Sequence, residues 1–418
     1  MTFTIAVVGG GFGGTYLIKE LDRLRQSLNL NLKVLLFEPQ RCFVFTPLLH
    51  EVATAGLETE QVMVPFSTLY DGKPWITHLQ AVVSRVHLEK RLVKAGKKRY
   101  SYDYLVLATG STTNYYGKKE ASRHALALKN EKNAENIRFR LEHALLHAAQ
   151  TRDPAKQQRF LTVAIVGGGP TGVELAAEIV QFFRHRIRKL YRTMRKEMVN
   201  VILFQGSPVL LPHASPRMQK AAHRALERLG ITLKYGAKVE HVHPTFLTYE
   251  QHGEQRKEAV DLTIWVAGIT PRTVPGTGGE YYQVNTDLSL VNHKEAFAIG
   301  DAARYDERCM LDPVPALAQA AVQEGTLVAR NIVRRIRGAK TEPFLYKSKG
   351  FLVSLGQKNA AGEIETPFGI VFLTGFFMWW LWRTIYLFKF VDAKQRVENA
   401  MSWTTRLFSK RSVRMKKE

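Results

Sequence analysis

Two stretches of this chain repeat one order of residue types: Ile5-Ala-Val-Val-Gly-Gly-Gly-Phe-Gly-Gly14 and Val163-Ala-Ile-Val-Gly-Gly-Gly-Pro-Thr-Gly172. In each, a short apolar run leads into glycines at G-x-G-x-x-G spacing and then into helical spacing. The glycines are Gly9, Gly11 and Gly14 in the first and Gly167, Gly169 and Gly172 in the second. Such a turn is suited to holding a diphosphate. Glycines let the backbone come close to the anion, and the helix that follows offers unpaired N–H groups and the positive end of its dipole. One match of this kind arises by chance in many chains. Two, each between a strand and a helix, argue for two dinucleotide sites, with ordinary tight turns as the alternative.

A dinucleotide site also wants an acidic side chain at the end of the second strand, where it accepts from ribose hydroxyls. Glu38 closes Val34-Leu-Leu-Phe-Glu38 and meets this, its distance from Gly9 lengthened by the connection Arg25 to Asn31. A solvated strand-end charge is the other reading. The equivalent place in the second repeat is Gln205, closing Val201-Ile-Leu-Phe-Gln205. A carboxylate there would repel a 2′-phosphate and a neutral amide does not, so NADPH becomes acceptable beside NADH. Gln205 bonding the NADH ribose is the alternative, and the nucleotide preference stays open.

The elements that must carry these turns follow from periodicity. Strands are expected at Thr4–Val8 and Lys33–Phe37 around a helix bearing Leu17, Leu21 and Leu24. They are expected again from Val163 and at Asn200–Phe204 around one bearing Val173, Ala176, Ala177 and Ile179. A β-turn-α-β unit used twice implies parallel sheets. Further strands are expected at 81–86, 92–94, 104–108, 231–235, 239–243, 262–267 and 296–299, and helical spacing at 129–150 and 315–337. The expected fold class is α/β, with two Rossmann-like dinucleotide-binding domains and a C-terminal membrane-associating helical tail. Residues 1–118 and 273–345 would form the first domain, 119–272 the second and 346–418 the tail.

Bulk composition narrows the classes. At 418 residues there is room for two or three cores, and 45% hydrophobic with 23% charged residues excludes wholesale disorder. Sixty Lys and Arg against 37 Asp and Glu give a net charge of +23, which favours an anionic partner. Nucleic acid is disfavoured, since no recognition module accompanies the charge. The basic cluster Arg184 to Lys196 reads as a solvated helix face. Cys42 and Cys309 offer neither a disulfide framework nor the closely spaced thiols of a disulfide reductase, and read as packed residues. No metal-ligand cluster is evident.

The two glycine turns occur with Leu107-Ala-Thr-Gly110, Trp265-Val-Ala-Gly268 and Phe297-Ala-Ile-Gly-Asp301, and with Phe45-Thr-Pro-Leu-Leu49, Glu51-Val-Ala53 and Ala318-Gln-Ala-Ala-Val-Gln323. Together these resemble the two-dinucleotide flavoproteins, and within them the type II (non-proton-pumping) NADH:quinone oxidoreductases, from Ile5 to about Gly356 with a tail of the expected kind. The resemblance implies FAD at the first turn (Gly9, Gly11, Phe12, Gly13, Gly14, with Glu38) and NADH or NADPH at the second (Gly167, Gly169, Gly172, with Gln205, Ala267 and Gly268). It implies that Gly300 and Asp301 meet the FAD pyrophosphate and ribitol, that Thr109 and Gly110 close over the FAD, and that Val83 faces the adenine. Thr46, Ala318 and Gln319 would lie by the flavin ring, and Gln319 and Gln323, four apart on one helical face, would reach the quinone. The other reading of the two glutamines is a polar helix face. Glu174, placed by the sequence in the first turn after the second glycine loop, resembles the family acid near nicotinamide and flavin. It would bond the carboxamide or move protons; the alternative is an acid favoured by a helix N-terminus.

Phe368 to Phe390 is aromatic, and its apolar run, Phe368 to Trp382, is too short to span a bilayer. Its Trp and Tyr suit the headgroup boundary. Val397, Ala400, Met401, Thr404 and Phe408 then recur at helical spacing among Lys394, Arg396, Arg406, Lys410, Arg411, Arg414, Lys416 and Lys417. This reads as a basic helix lying on an anionic leaflet, with a dimer surface or a packed helix as alternatives. A strand expected from Thr4 leaves no room for a signal peptide, so a peripheral position on the cytoplasmic face of the cell membrane is expected.

The expected activity is hydride transfer from NAD(P)H to FAD, then two electrons to a membrane quinone. Three other readings stand beside it: an NADPH-dependent reductase of a biosynthetic naphthoquinone, a sulfide:quinone oxidoreductase, which would want redox cysteines, and a flavin- and nicotinamide-binding sensor. A homodimer is compatible with all of them.

Overall fold

The computed structural model describes residues 2–191, 194–305 and 314–389. The chain divides into two compact units. One comprises Met1–Val44, Met63–Thr112 and Ile269–Lys347; the other comprises Phe45–Val62, Thr113–Gly268 and the chain from Ser348 on.

The first unit is built on an eight-stranded sheet in the order Ala303–Tyr305, Tyr282–Val284, Ser289–Leu290, His293–Ala298, Tyr104–Leu107, Phe3–Val8, Leu32–Phe37, Ile76–Leu79. The last five of these run parallel. A parallel strand is covered on both faces, and accordingly Ile5, Ala6, Val7, Val34, Leu36, Val106 and Phe297 are wholly buried without alternation. Register sets Val8 beside Phe37 and Leu107, and Leu107 beside Ala298, so these strands stop together. From Phe3–Val8 the chain steps to Leu32–Phe37 and Ile76–Leu79 on one side and returns to Tyr104–Leu107 on the other, which makes the C-terminal end of Phe3–Val8 the switch point where open parallel sheets bind ligands. The helix Phe12–Leu28 packs on Ala318–Ile336 at backbone contact, since a Cβ on Gly325 would stand 2.4 Å from the Gly13 carbonyl oxygen.

The second unit repeats the plan with a five-stranded sheet, Leu126–Ala127, Leu262–Trp265, Thr162–Val166, Asn200–Gln205, Thr232–Tyr235, parallel throughout. The helix Pro170–Leu190 follows its central strand. An antiparallel sheet of Ala237–Val242, Phe246–Gln251 and Glu254–Ala259 buries Tyr249 against Phe204.

The expected α/β architecture of two dinucleotide folds is therefore present. The units are cut differently from the sequence boundaries: Phe45–Val62 and the chain from Ser348 on both cluster with the second unit. The tail also differs from its reading as helix throughout. Phe351–Ser354, Ala360–Thr366 and Gly369–Gly375 form an antiparallel sheet, and among the described residues of the tail only Phe376–Lys389 is helical. Left-handed glycines at Gly369 and Gly375 bound the last strand, and β-branched Ile364, Thr366, Ile370, Val371 and Thr374 favour extended chain. No described helix is long and apolar enough to cross a membrane. The basic residues 394–417 lie outside the described residues.

Candidate cofactor and active site

At the first turn, Gly9 and Gly14 are there because nothing larger fits. Gly9 has φ +107°, and a Cβ on it would stand 2.2 Å from the Ala108 carbonyl oxygen; a Cβ on Gly14 would stand 2.0 Å from that of Gly9. Gly11 faces open space. Phe12 and Gly13 open the helix, and no side chain caps it. By contrast Asn130 and Ser215 cap the helices Glu131–Gln150 and Pro216–Arg228 through their side chains. An uncapped N-terminus leaves amide hydrogens for a ligand. Glu38 is fixed at the rim: its carboxylate accepts from Gly10 N–H at 2.8 Å and from Gln40 N–H at 3.0 Å.

The other residues assigned to FAD, Thr46 apart, lie in the same unit. Gly300 follows the strand His293–Ala298 with φ +74°, and the Asp301 carboxylate accepts from Ser111 Oγ at 2.5 Å. Thr109 donates through Oγ1 to the Arg272 carbonyl, and left-handed Gly110 accepts from Arg272 N–H at 2.9 Å. Val83 opens a separate antiparallel strand, opposite Ala95. Ala318 and Gln319 begin the helix Ala318–Ile336, which no side chain caps. The Gln323 amide donates to the Lys347 carbonyl at 2.8 Å and accepts from Lys347 N–H at 3.1 Å, so here it pins the backbone that follows the helix. A Gly-lined cradle, a free helix end and two carboxylates at strand ends of one sheet fit a flavin dinucleotide.

One residue of this unit escaped the sequence reading. Glu324 is buried among Ala320, Ala321 and Val328; its carboxylate accepts from Gly300 N–H at 2.5 Å and from the Tyr305 hydroxyl at 2.7 Å. Burial pushes its carboxyl above the usual range. The signal available was an acid on the apolar stripe of an amphipathic helix.

The second turn repeats the first. Gly167 has φ +116° and a Cβ would stand 2.8 Å from Ala267 N, while a Cβ on Gly172 would stand 1.8 Å from the Gly167 carbonyl oxygen. Gly169 faces open space and the helix from Pro170 has no side-chain cap. Gln205 Oε1 accepts from Gly168 N–H at 2.8 Å, the same latch that Glu38 makes with Gly10. Its Nε2 donates to Ser207 Oγ at 2.5 Å and to the Val209 carbonyl at 3.1 Å. Ala267 accepts from Trp265 Nε1 at 3.1 Å, and left-handed Gly268 leaves room for the Tyr116 hydroxyl.

Glu174 is not in the first helical turn, as the sequence had suggested: Pro170 is the first helical residue and the acid follows one turn later. It is 7% exposed, accepts from Ser354 N–H at 3.0 Å and has His50 Nδ1 at 3.5 Å from its other oxygen. Burial holds its carboxyl above the usual range; the charge of His50 opposes this, and Glu51 and Glu178 reinforce it. Thr46 opens the turn Thr46–Leu48, which leads into the helix Leu49–Ala53 carrying His50 and Glu51. Within the cluster Arg184 to Lys196, Arg186 is buried and paired with Glu142 at 3.1 Å, which corrects the solvated-face reading at that residue.

Residues 3–325 match the model of the pyridine nucleotide-disulphide oxidoreductases. The chain belongs to that family. Residues 348–412 match the NDH2 C-terminal domain. The type II NADH:quinone oxidoreductase Ndh of Mycobacterium tuberculosis is 27% identical over 425 residues, covering 97% of this chain and 88% of that protein. Among solved structures, NDH2 from Plasmodium falciparum in complex with NADH superposes with a TM-score of 0.88 at 19% identity, covering 99% of this chain and 100% of that one. The sulfide:quinone oxidoreductase of Aquifex aeolicus has a TM-score of 0.75 at 18% identity, covering 98% and 96%. The family resemblance drawn from the glycine turns and from Ala318 to Gln323 is thus met by both family models.

Proposed function

We propose that this chain is an FAD-dependent NADH:quinone oxidoreductase that does not pump protons. The reading is carried by the doubled glycine turn, each copy opening on an uncapped helix, in a chain that also has an NDH2 C-terminal domain. The reaction, NADH + H⁺ + quinone → NAD⁺ + quinol, draws one proton from water per turnover. When bound, FAD supplies the two-electron relay between a hydride donor and the quinone.

The chain's own part is binding, orientation and proton handling. Backbone amides at Gly11 to Gly14 would hold the FAD diphosphate with Gly300, fixed by Glu324, beside it; Glu38 would hold the ribose, and Asp301, steadied by Ser111, the ribitol. Thr109, Gly110, Val83, Thr46 and Ala318 complete the FAD contacts. Gly167, Gly169, Gly172, Ala267 and Gly268 hold the nicotinamide dinucleotide. Glu174 acts on the proton, and Gln319 and Gln323 orient the quinone.

Purified protein is expected to reduce a short-chain quinone with NADH and also with NADPH, because Gln205 presents no charge to a 2′-phosphate. Gln205→Glu is expected to shift the ratio of kcat/KM about tenfold toward NADH, the effect of roughly 1.4 kcal/mol of like-charge contact. A carboxylate cannot donate to the Val209 carbonyl, so the same variant should melt slightly lower. An unchanged nucleotide ratio would remove Gln205 from the specificity site. No quinone turnover with either nucleotide would overturn the function. Gln205 also favours a second reading, an NADPH-dependent reductase of a biosynthetic naphthoquinone, and the same assay separates the two by acceptor.

The basic residues 394–417 are the proposed attachment to an anionic leaflet, on the cytoplasmic face, with a homodimer compatible. The truncation must spare the sheet and helix that end at Lys389. Deleting 390–418 is expected to abolish co-flotation with vesicles containing anionic lipid while flavin content is kept. Undiminished flotation would place the attachment elsewhere.

A further inference from the structure

The helix Leu49–Ala53 buries all five of its residues, among them His50 and Glu51. Polar side chains buried in succession must each find a partner. Glu51 has one in Arg383, whose Nη2 lies 3.4 Å from both carboxylate oxygens and whose guanidinium lies 4.3 Å from the Trp379 ring centroid. His50 is 2% exposed; its Nδ1 is 3.5 Å from Glu174 Oε2, and its Nε2 has no partner among the described residues. Catalytic hydrogen bonds are often this long before ligands bind.

The surroundings leave this pair as the place where a proton can reside. Arg383 is committed to Glu51. Tyr386, half-buried, is held far above the ordinary phenol range by desolvation and then by the charge of Glu174, so it keeps its proton. Glu178 raises the Glu174 carboxyl further, and the Ser354 N–H donates to one Glu174 oxygen, leaving the other to His50. The helix Glu131–Gln150, which also packs on Leu49–Ala53, buries only apolar residues.

We propose that His50 and Glu174 share one proton and that the pair feeds the proton each turnover consumes. Glu174 gives up its proton during quinol formation, His50 returns one through Nδ1, and His50 is recharged from water at Nε2. The pair regains its proton at the cost of one solvent proton, and tautomer exchange returns the ring from Nε2–H to Nδ1–H before the next turnover. His50 thus acts through Glu174 as a positioning and proton-holding residue, and the inference rests on the role proposed above for Glu174.

Two measurements on His50→Gln test it, with His50→Asn read the same way should the first variant not fold. In the infrared spectrum, the protonated-carboxyl band that Glu174→Gln removes is expected to persist to higher pH, because the charge interaction with His50 that opposes the burial of Glu174 is gone. In turnover, kcat is expected to fall at least about tenfold with KM for NADH unchanged, and added imidazole should partly restore kcat in His50→Ala. An infrared band with unaltered pH dependence overturns the shared proton. A shifted band with unaltered kcat overturns the relay. A wild-type protein that shows the band and reduces no quinone breaks the functional reading instead.

Discussion

Gly172→Ala is expected to leave the protein yellow but a poor user of NADH, whereas Gly14→Ala should leave it colourless. In each turn the third glycine sits under the carbonyl of the first, where an added Cβ would stand 1.8 Å and 2.0 Å from oxygen respectively. Neither neighbour is a side-chain end that can swing away; both are backbone held by the strand before it. Forcing in one carbon costs about 1–3 kcal/mol or more, and 3 kcal/mol is on the order of a hundredfold in affinity. For Gly172→Ala the expected KM for NADH therefore rises by about a hundredfold, with flavin absorbance close to wild type. For Gly14→Ala the flavin should be lost on gel filtration. Flavin loss in both variants, or in neither, would mean that the two turns do not hold separate cofactors.

Glu324→Leu should release FAD and lower the melting temperature, while Glu324→Gln should do neither. Leucine leaves the Gly300 N–H and the Tyr305 hydroxyl buried without an acceptor, at about 1–3 kcal/mol each. The loosened residue is the left-handed glycine of the FAD-binding run. Glutamine keeps an acceptor for Gly300 and a polar end for Tyr305. The two also part company with pH. A carboxyl raised by burial binds its proton more tightly folded than unfolded, so wild-type stability falls as pH rises above the ordinary carboxylate value. Glu324→Gln has no such proton, and its melting temperature should overtake that of wild type as pH increases. Parallel curves would show that Glu324 does not titrate in that range.

How far the chain could be read depended on how local each determinant was. The glycine turns were legible because strand, turn and helix are contiguous and only glycine tolerates the approach of Ala108 to Gly9. Glu38 was legible for the same reason, as the end of a strand fixed by Val34 to Phe37. The position of Glu174 was recoverable but misjudged: proline favours the first helical position, and counting from Pro170 carries the acid past the first turn. The antiparallel sheet in the tail was missed because its apolar residues were weighed by amount, not by period. The meeting of His50, Glu51 and Arg383 with Glu174 joins segments far apart in sequence, and no local pattern encodes it.

Three long helices, Phe12–Leu28, Pro170–Leu190 and Ala318–Ile336, begin without a side chain to satisfy their first amides. Other helices of the same chain spend an asparagine or a serine on that task. The vacant ends tie the folding equilibrium to the nucleotide pool: a ligand at a hundred times its Kd adds about 2.7 kcal/mol to the loaded form, and nothing to the unfolded chain. A cell short of riboflavin would then hold less of this enzyme, through proteolysis of apoprotein, and not merely an idle stock awaiting its prosthetic group.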